Sequence, residues 1–133
     1  LKGLKTKVKA VKINDGDSCH LAFYRNDELV RFRCRLVDVD APELDKPNGE
    51  IVRDFFAWVC MGEDPDEFDD TTTWEKEGLQ NELDNSENLL YAVFEDFYDD
   101  SRGRVPVTLR TSPTGKYINK MVRDYVEGLE LDY

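Results

Sequence analysis

Residues 29–37 read "LVRFRCRLV", and few stretches restrict a fold more. Val30, Phe32, Cys34 and Leu36 take one parity; Arg31, Arg33 and Arg35 take the other. Only a β-strand places successive side chains on opposite faces, so this pattern predicts a strand with an apolar inner face and a cationic outer one. Upstream, "KVKAVKI" (Lys7 to Ile13) is a half-buried strand with one irregular step, and "CHLAFY" (Cys19 to Tyr24) is another. "DGD" (Asp15 to Asp17) and "RNDE" (Arg25 to Glu28) are turn signals between them. A run of three strands in about 30 residues with tight connections predicts a meander or a small barrel.

The period then changes. After an exit loop rich in Pro, Gly and Asn, Ile51, Val52, Phe55, Phe56 and Val59 follow helical spacing. A helix is expected over 49–61, with Asn48 as its cap and Gly62 as its stop. "LLYAVFEDF" (Leu89 to Phe97) and "VPVTLRT" (Val105 to Thr111) return to strand character, and Pro106 points to an edge or a bulge. "KYINKMVRDYVEGL" (Lys116 to Leu129) is amphipathic, with Ile118, Met121, Val122 and Tyr125 on one side. At 133 residues the chain is expected to form one domain, 1–133.

Residues 63–88 stand apart, with eleven acids and one lysine. They read as an acidic insertion, a solvated excursion with one short helix from Thr73 to Leu83. Thr72 and Glu75 have capping-box spacing for that helix. An EF-hand loop fails here, because Phe68 and Asp69 stand where a ligand and the required glycine belong. The segment could bind a protein partner.

Net charge is −11, which taken alone argues against a polyanionic partner. The distribution reverses that argument. Residues 1–36 carry +5, residues 37–100 carry −18 and residues 101–133 carry +2, so the two ends can form a basic groove. No apolar run approaches the roughly 18 residues that span a membrane. Cys19, Cys34 and Cys60 show no CxxC spacing, and reduced thiols are expected. His20, the one histidine, reads as a structural or exposed strand residue.

The polar residues that fit no core pattern fall in three places: Asp15-Gly16-Asp17; Arg35 with Asp40-Ala41-Pro42-Glu43; and Asp100-Ser101-Arg102-Gly103-Arg104. Each alone is a turn or a strand end. Together they supply the parts of a phosphodiesterase. Two carboxylates and a backbone carbonyl suit a hard cation such as Ca²⁺. A third carboxylate can orient or deprotonate water. Two guanidiniums match the paired oxygens of a phosphate.

In that order, "DGDS", "RLVDVDAPE", "DSRGR" and "GKYINKMVRDYVEGL" resemble the staphylococcal nuclease family across roughly residues 7–62 and 89–133. The resemblance implies an α+β fold: a five-stranded OB-type β-barrel with packed helices, to which the acidic insertion is added. It implies Ca²⁺-dependent cleavage of DNA or RNA to leave 3′-phosphate ends. By motif, Asp17 and Asp40 would ligate Ca²⁺ through carboxylates and Ala41 through its carbonyl, with Asp15 behind them. Glu43 would be the general base or water-orienting group, Arg35 would bind the scissile phosphate and Arg104 would stabilise the transition state. Arg102 stands where the family usually has an aromatic, and Tyr133 is a candidate for a substrate phosphate. A second reading is a domain of the same fold that binds nucleic acid or protein without cleaving. Strict alternation puts Arg35 and Asp40 on opposite faces, so their convergence requires a bend between Leu36 and Val39.

Overall fold

The computed structural model describes residues 3–95 and 103–131. Five strands, β1 (Lys5–Asp15), β2 (Ser18–Arg25), β3 (Glu28–Leu36), β4 (Leu90–Phe94) and β5 (Val105–Arg110), close a barrel in the order β1-β2-β3-β5-β4. Three helices pack around it: α1 (Gly49–Cys60), α2 (Lys76–Asn85) and α3 (Ile118–Glu130). All pairings are antiparallel except β3 with β5, a short parallel match of Cys34, Arg35 and Leu36 with Val105, Pro106 and Val107. The result is a small α+β barrel of OB-like form.

The alternation read from the sequence sets the inside and the outside. Cys19, Leu21, Phe23, Cys34 and Leu36 are buried in the lumen with Phe94, Val107 and Leu109. The irregular step in β1 is a bulge. Ala10 and Lys12 oppose Leu21 and His20, which leaves Val11 as the extra residue. That one-residue insertion keeps Ala10 and Ile13 inward and Lys9 and Lys12 outward. The three cysteines are buried free thiols. Burial holds the Cys34 thiol up to about 12, so it is neutral at physiological pH. Among the described residues no helix is long and apolar enough to cross a membrane.

Pro106 does not lie at an edge, since β5 is paired on both sides. It sits second in its strand, and its carbonyl accepts the Glu95 N–H at 3.1 Å. Asn48 occupies the N-cap position of α1 but takes a left-handed φ of 67° and makes no side-chain cap bond.

The acidic segment is exposed along most of its length and carries one short helix, but it is pinned to the core. Leu79 and Leu83 of α2 are buried in the core, and Phe68 packs edge-on against Phe55 and Tyr125, which themselves stack at 4.1 Å between α1 and α3. A buried ion pair in α1 holds the segment down. Arg53 Nε donates to Asp54 Oδ1 at 2.9 Å; Asp54 Oδ2 accepts the Trp74 N–H at 2.8 Å; an Arg53 guanidinium nitrogen donates to the Trp74 carbonyl at 2.9 Å. This clamp fixes the backbone just before α2, so the helix starts at Lys76 with Glu75 as its N-cap. The Thr72–Glu75 capping box does not form, because the tertiary contact overrides the local signal. Gln80 of α2 then donates to the bulged Val11 carbonyl at 2.8 Å.

Asn119 of α3 is buried and bonded on every side. Its Oδ1 accepts the Leu109 N–H at 2.8 Å, and its Nδ2 donates to the Val37 and Val107 carbonyls at 3.0 and 3.2 Å. It ties α3 to the β3–β5 seam. Replacing it with alanine strands buried backbone groups at about 1–3 kcal/mol each. Asn119→Ala is expected to cost about 3 kcal/mol, read as a lower midpoint in urea unfolding at unchanged slope.

Candidate active site

One end of the barrel gathers the segments that the sequence singled out. The β1–β2 turn enters from one side, with Gly16 buried under α1 and the exit loop. A Cβ on Gly16 would collide with Val52 Cγ1 and stand 2.7 Å from Ala41 Cβ. The turn therefore presses against the Val52 and Ala41 side chains as only glycine allows.

That close approach sets the position of Asp17. Its side chain is 8% exposed, with Oδ2 accepting the Ala41 N–H at 3.0 Å and Oδ1 accepting the Ser18 hydroxyl at 3.1 Å. Its backbone is held as well: the N–H donates to Asp15 Oδ1 at 3.1 Å and the carbonyl accepts the Leu36 N–H at 2.8 Å. Asp15 thus stands behind Asp17 and fixes the turn.

The bend required between Leu36 and Val39 is present. Strand β3 ends at Leu36, and Asp38 takes a left-handed φ of 60°, a conformation for which Asp is among the favoured non-glycine residues. The kink keeps Val39 buried and delivers Asp40 to the face that carries Arg35. One Arg35 guanidinium nitrogen lies 3.5 Å from Asp17 Oδ2 and 3.8 Å from Asp40 Oδ1. Asp40 itself is open to solvent, its side chain 99% exposed. On the opposite flank, Arg104 leads into β5 and donates to Ser18 Oγ. Ser18 therefore links Arg104 to Asp17.

Asp17, Arg35, Asp40, Ala41 and Arg104 are brought together by these contacts, although Ala41 faces Asp17 with its amide N–H. Glu43 follows on the exit loop with an exposed side chain, and its carbonyl accepts the Lys46 N–H at 2.9 Å. Arg102 and Tyr133 lie outside the described residues. Ser18, the last residue of "DGDS", joins the cluster; a hydroxyl at a strand start carries no sequence signal beyond that motif. His20 lies outside this cluster, on the outer face of β2, where its Nδ1 accepts from Arg31 Nε at 3.1 Å.

The electrostatics follow from the packing. Burial, and next the adjoining Asp15 carboxyl, push the Asp17 carboxyl above the ordinary range; the Ala41 N–H and Arg35 pull the other way and lose. A buried carboxylate crowded by a second one is a site with unmet demand for positive charge. Among the described residues no group of three or more His, Cys, Asp or Glu side chains forms a ready metal cage. Asp17 and Asp40 offer carboxylate oxygens to the same Arg35 nitrogen. No family model matches this chain, and no curated protein matches it.

A raised folded pKa means that native Asp17 retains a proton which the unfolded chain has already released. Its charge therefore penalises the fold fully above the folded pKa, and the penalty fades as pH falls towards 3.8. Asp17→Asn removes that charge and preserves an oxygen for the Ala41 N–H. In metal-free buffer the variant is expected to melt above the parent at pH 7, with the gap narrowing towards pH 3.5. A gap independent of pH would count against the crowding described here.

Proposed function

We propose that the protein is a Ca²⁺-dependent phosphodiesterase that cleaves DNA or RNA, of the staphylococcal nuclease type that its motifs resemble. One observation carries the reading: a single Arg35 nitrogen lies within 4 Å of both Asp17 and Asp40, carboxylates from separate segments, and Arg104 reaches the same Asp17 through Ser18. Carboxylates and arginines interleaved at one barrel end fit a phosphate diester held between a cation and guanidiniums.

The roles follow from the chemistry of each group. Arg35 and Arg104 bind the phosphate oxygens and hold the charge that gathers on them in the transition state. Glu43, exposed on the adjoining loop, orients water or takes its proton. Asp17, Asp40 and the Ala41 carbonyl are the oxygens that would hold the ion, and Asp15 keeps the turn that aims Asp17. Bound there, Ca²⁺ would polarise the phosphoryl oxygen and neutralise part of its charge. With calcium in place Asp17 no longer faces Asp15 uncompensated, so metal affinity should rise with pH as Asp17 deprotonates.

A second reading, a binding module without cleavage, draws on the exposure of Asp40 and on the lack of a ready three-acid cage among the described residues. Calorimetry separates the two, since the module predicts no calcium heat and no effect of Asp40→Asn.

Plasmid digestion tests the catalytic reading directly. Activity is expected with Ca²⁺ and not with EDTA, and Arg35→Ala is expected to lower kcat about 100-fold or more, with a comparable loss for Glu43→Ser. Cleavage indifferent to EDTA and to both substitutions would end the proposal. Asp17→Asn is expected to cost more activity than Asp15→Asn; the reverse order would count against the assignment of the two acids.

A further inference from the structure

A cavity of about 180 Å³ opens between α1 and the chain that leads into α2, and its lining includes no residue of the barrel-end cluster. Trp58, Phe68 and Trp74 form aromatic walls, while Asp54, Glu67 and Asp69 supply carboxyl groups. Among the described residues no Lys or Arg lines it. The three aromatics are half-buried, and each is fixed from outside the cavity. Trp58 Nε1 donates to the Asp64 carbonyl at 2.7 Å. Phe68 packs edge-on against Phe55 and Tyr125. The Trp74 backbone is held by the Arg53–Asp54 pair. The Trp58 and Phe68 rings stand 6.1 Å apart with their planes at 56°, so they flare rather than stack. Glu67 and Asp69 are exposed, at the rim. The Thr71 hydroxyl, and next the Thr71 N–H, donate to Asp69 and hold its carboxyl below its ordinary value. Residues 63–75 contain seven acids and no Lys or Arg, so the approach to the cavity is anionic as well.

We propose that this cavity is a cage for a methylated ammonium group, the trimethyl-lysine side chain of a basic peptide. Aromatic faces attract a cation that lies within about 6 Å of the ring centroid, and the flared Trp58–Phe68 pair closed by Trp74 offers such a seat. An unmodified lysine ammonium is compact, strongly hydrated and rich in N–H donors. Trimethylation removes those donors and clothes the charge in carbon, so aromatic walls can replace its water. The cavity is small beside the roughly 300–1,000 Å³ of sites for drug-sized ligands, which suits one side-chain head rather than a ring system. The carrier follows from charge. Acids at the rim and along 63–75 attract basic flanks that a free quaternary amine lacks. The cage stands whether or not the barrel end cleaves phosphodiesters, and it gives the acidic segment an occupant.

Binding of a fluorescein-labelled Arg/Gly-rich peptide with one central trimethyl-lysine to the full chain, followed by anisotropy in EDTA, tests the cage apart from catalysis. The same peptide with unmodified lysine should bind about tenfold or more weakly. So should a peptide in which carbon replaces the quaternary nitrogen, which keeps the shape and removes the charge. Both tryptophans of the chain line the cavity, so the unlabelled trimethyl peptide should also shift the intrinsic fluorescence. Trp74→Leu should cost about fivefold or more in affinity, and Trp74→Phe should restore most of it. Glu67→Gln with Asp69→Asn should weaken binding and reduce its salt dependence. Glu127→Gln with Glu130→Gln, an equal charge change on α3, should do neither. Thermal melts confirm that each variant is folded, and the three peptides test the parent without any substitution. No binding of the trimethyl peptide, or equal affinity for the trimethyl and unmodified peptides, overturns the proposal. Equal affinity for the carbon isostere overturns the cation as what is recognised. An unaffected Trp74→Leu places the peptide elsewhere and overturns the cage. Free choline binding as tightly as the trimethyl peptide overturns a peptide as the carrier.

Discussion

The buried carboxamide of Asn119 joins three things that otherwise have no reason to stay together: helix α3, strand β5 and the end of β3. It satisfies the Leu109 N–H and the Val37 and Val107 carbonyls at once. Buried backbone groups at a strand end must find partners, and here one side chain serves both sides of the parallel match. Val37 is the residue just before the left-handed Asp38, so the same bond anchors the kink that turns Asp40 towards Arg35. The candidate site depends on a residue that makes no bond to any of its side chains.

A similar economy governs the turn between β1 and β2. Gly16 lets the chain lie against Val52 and Ala41, and that contact lets the Ala41 amide reach the Asp17 carboxylate. Packing thus determines electrostatics: the fit that positions Asp17 also buries it beside Asp15 and raises its proton affinity. A carboxylate whose proton affinity is raised by burial and a neighbouring acid marks a candidate functional site.

Much of this was legible in the sequence, and the exceptions have physical causes. The strands of the barrel announce themselves because lumen and solvent alternate along each one, as in Val30, Phe32, Cys34 and Leu36. The polar residues that gather at the barrel end were found because they interrupt those patterns. The anchoring of the acidic segment is hidden in the sequence because charge density masks four apolar anchors, Phe68, Trp74, Leu79 and Leu83, and because the Arg53–Asp54 pair that clamps it lies within a helix that otherwise reads as apolar. Local capping signals at Thr72 and Asn48 lost to tertiary contacts and to backbone geometry. Asn119 and Ser18 were invisible in kind, since a buried amide or hydroxyl acquires meaning only from partners distant in the chain. The kink at Asp38 was required by the argument but not demonstrable without coordinates.

The parallel seam has a consequence for how the molecule comes into being. Strands β1, β2 and β3 are joined by tight turns and can pair early, whereas β3 meets β5 only after the whole of α1, α2 and β4 has been laid down between them. Closing so long a loop is the entropically slow step of such a topology. Arg35 stands on one side of that seam and Arg104 on the other. A chain that has made its hairpins but not its last strand therefore has its cationic face and its first acids, yet lacks the second guanidinium. The set of charges at this barrel end is complete only when folding has finished.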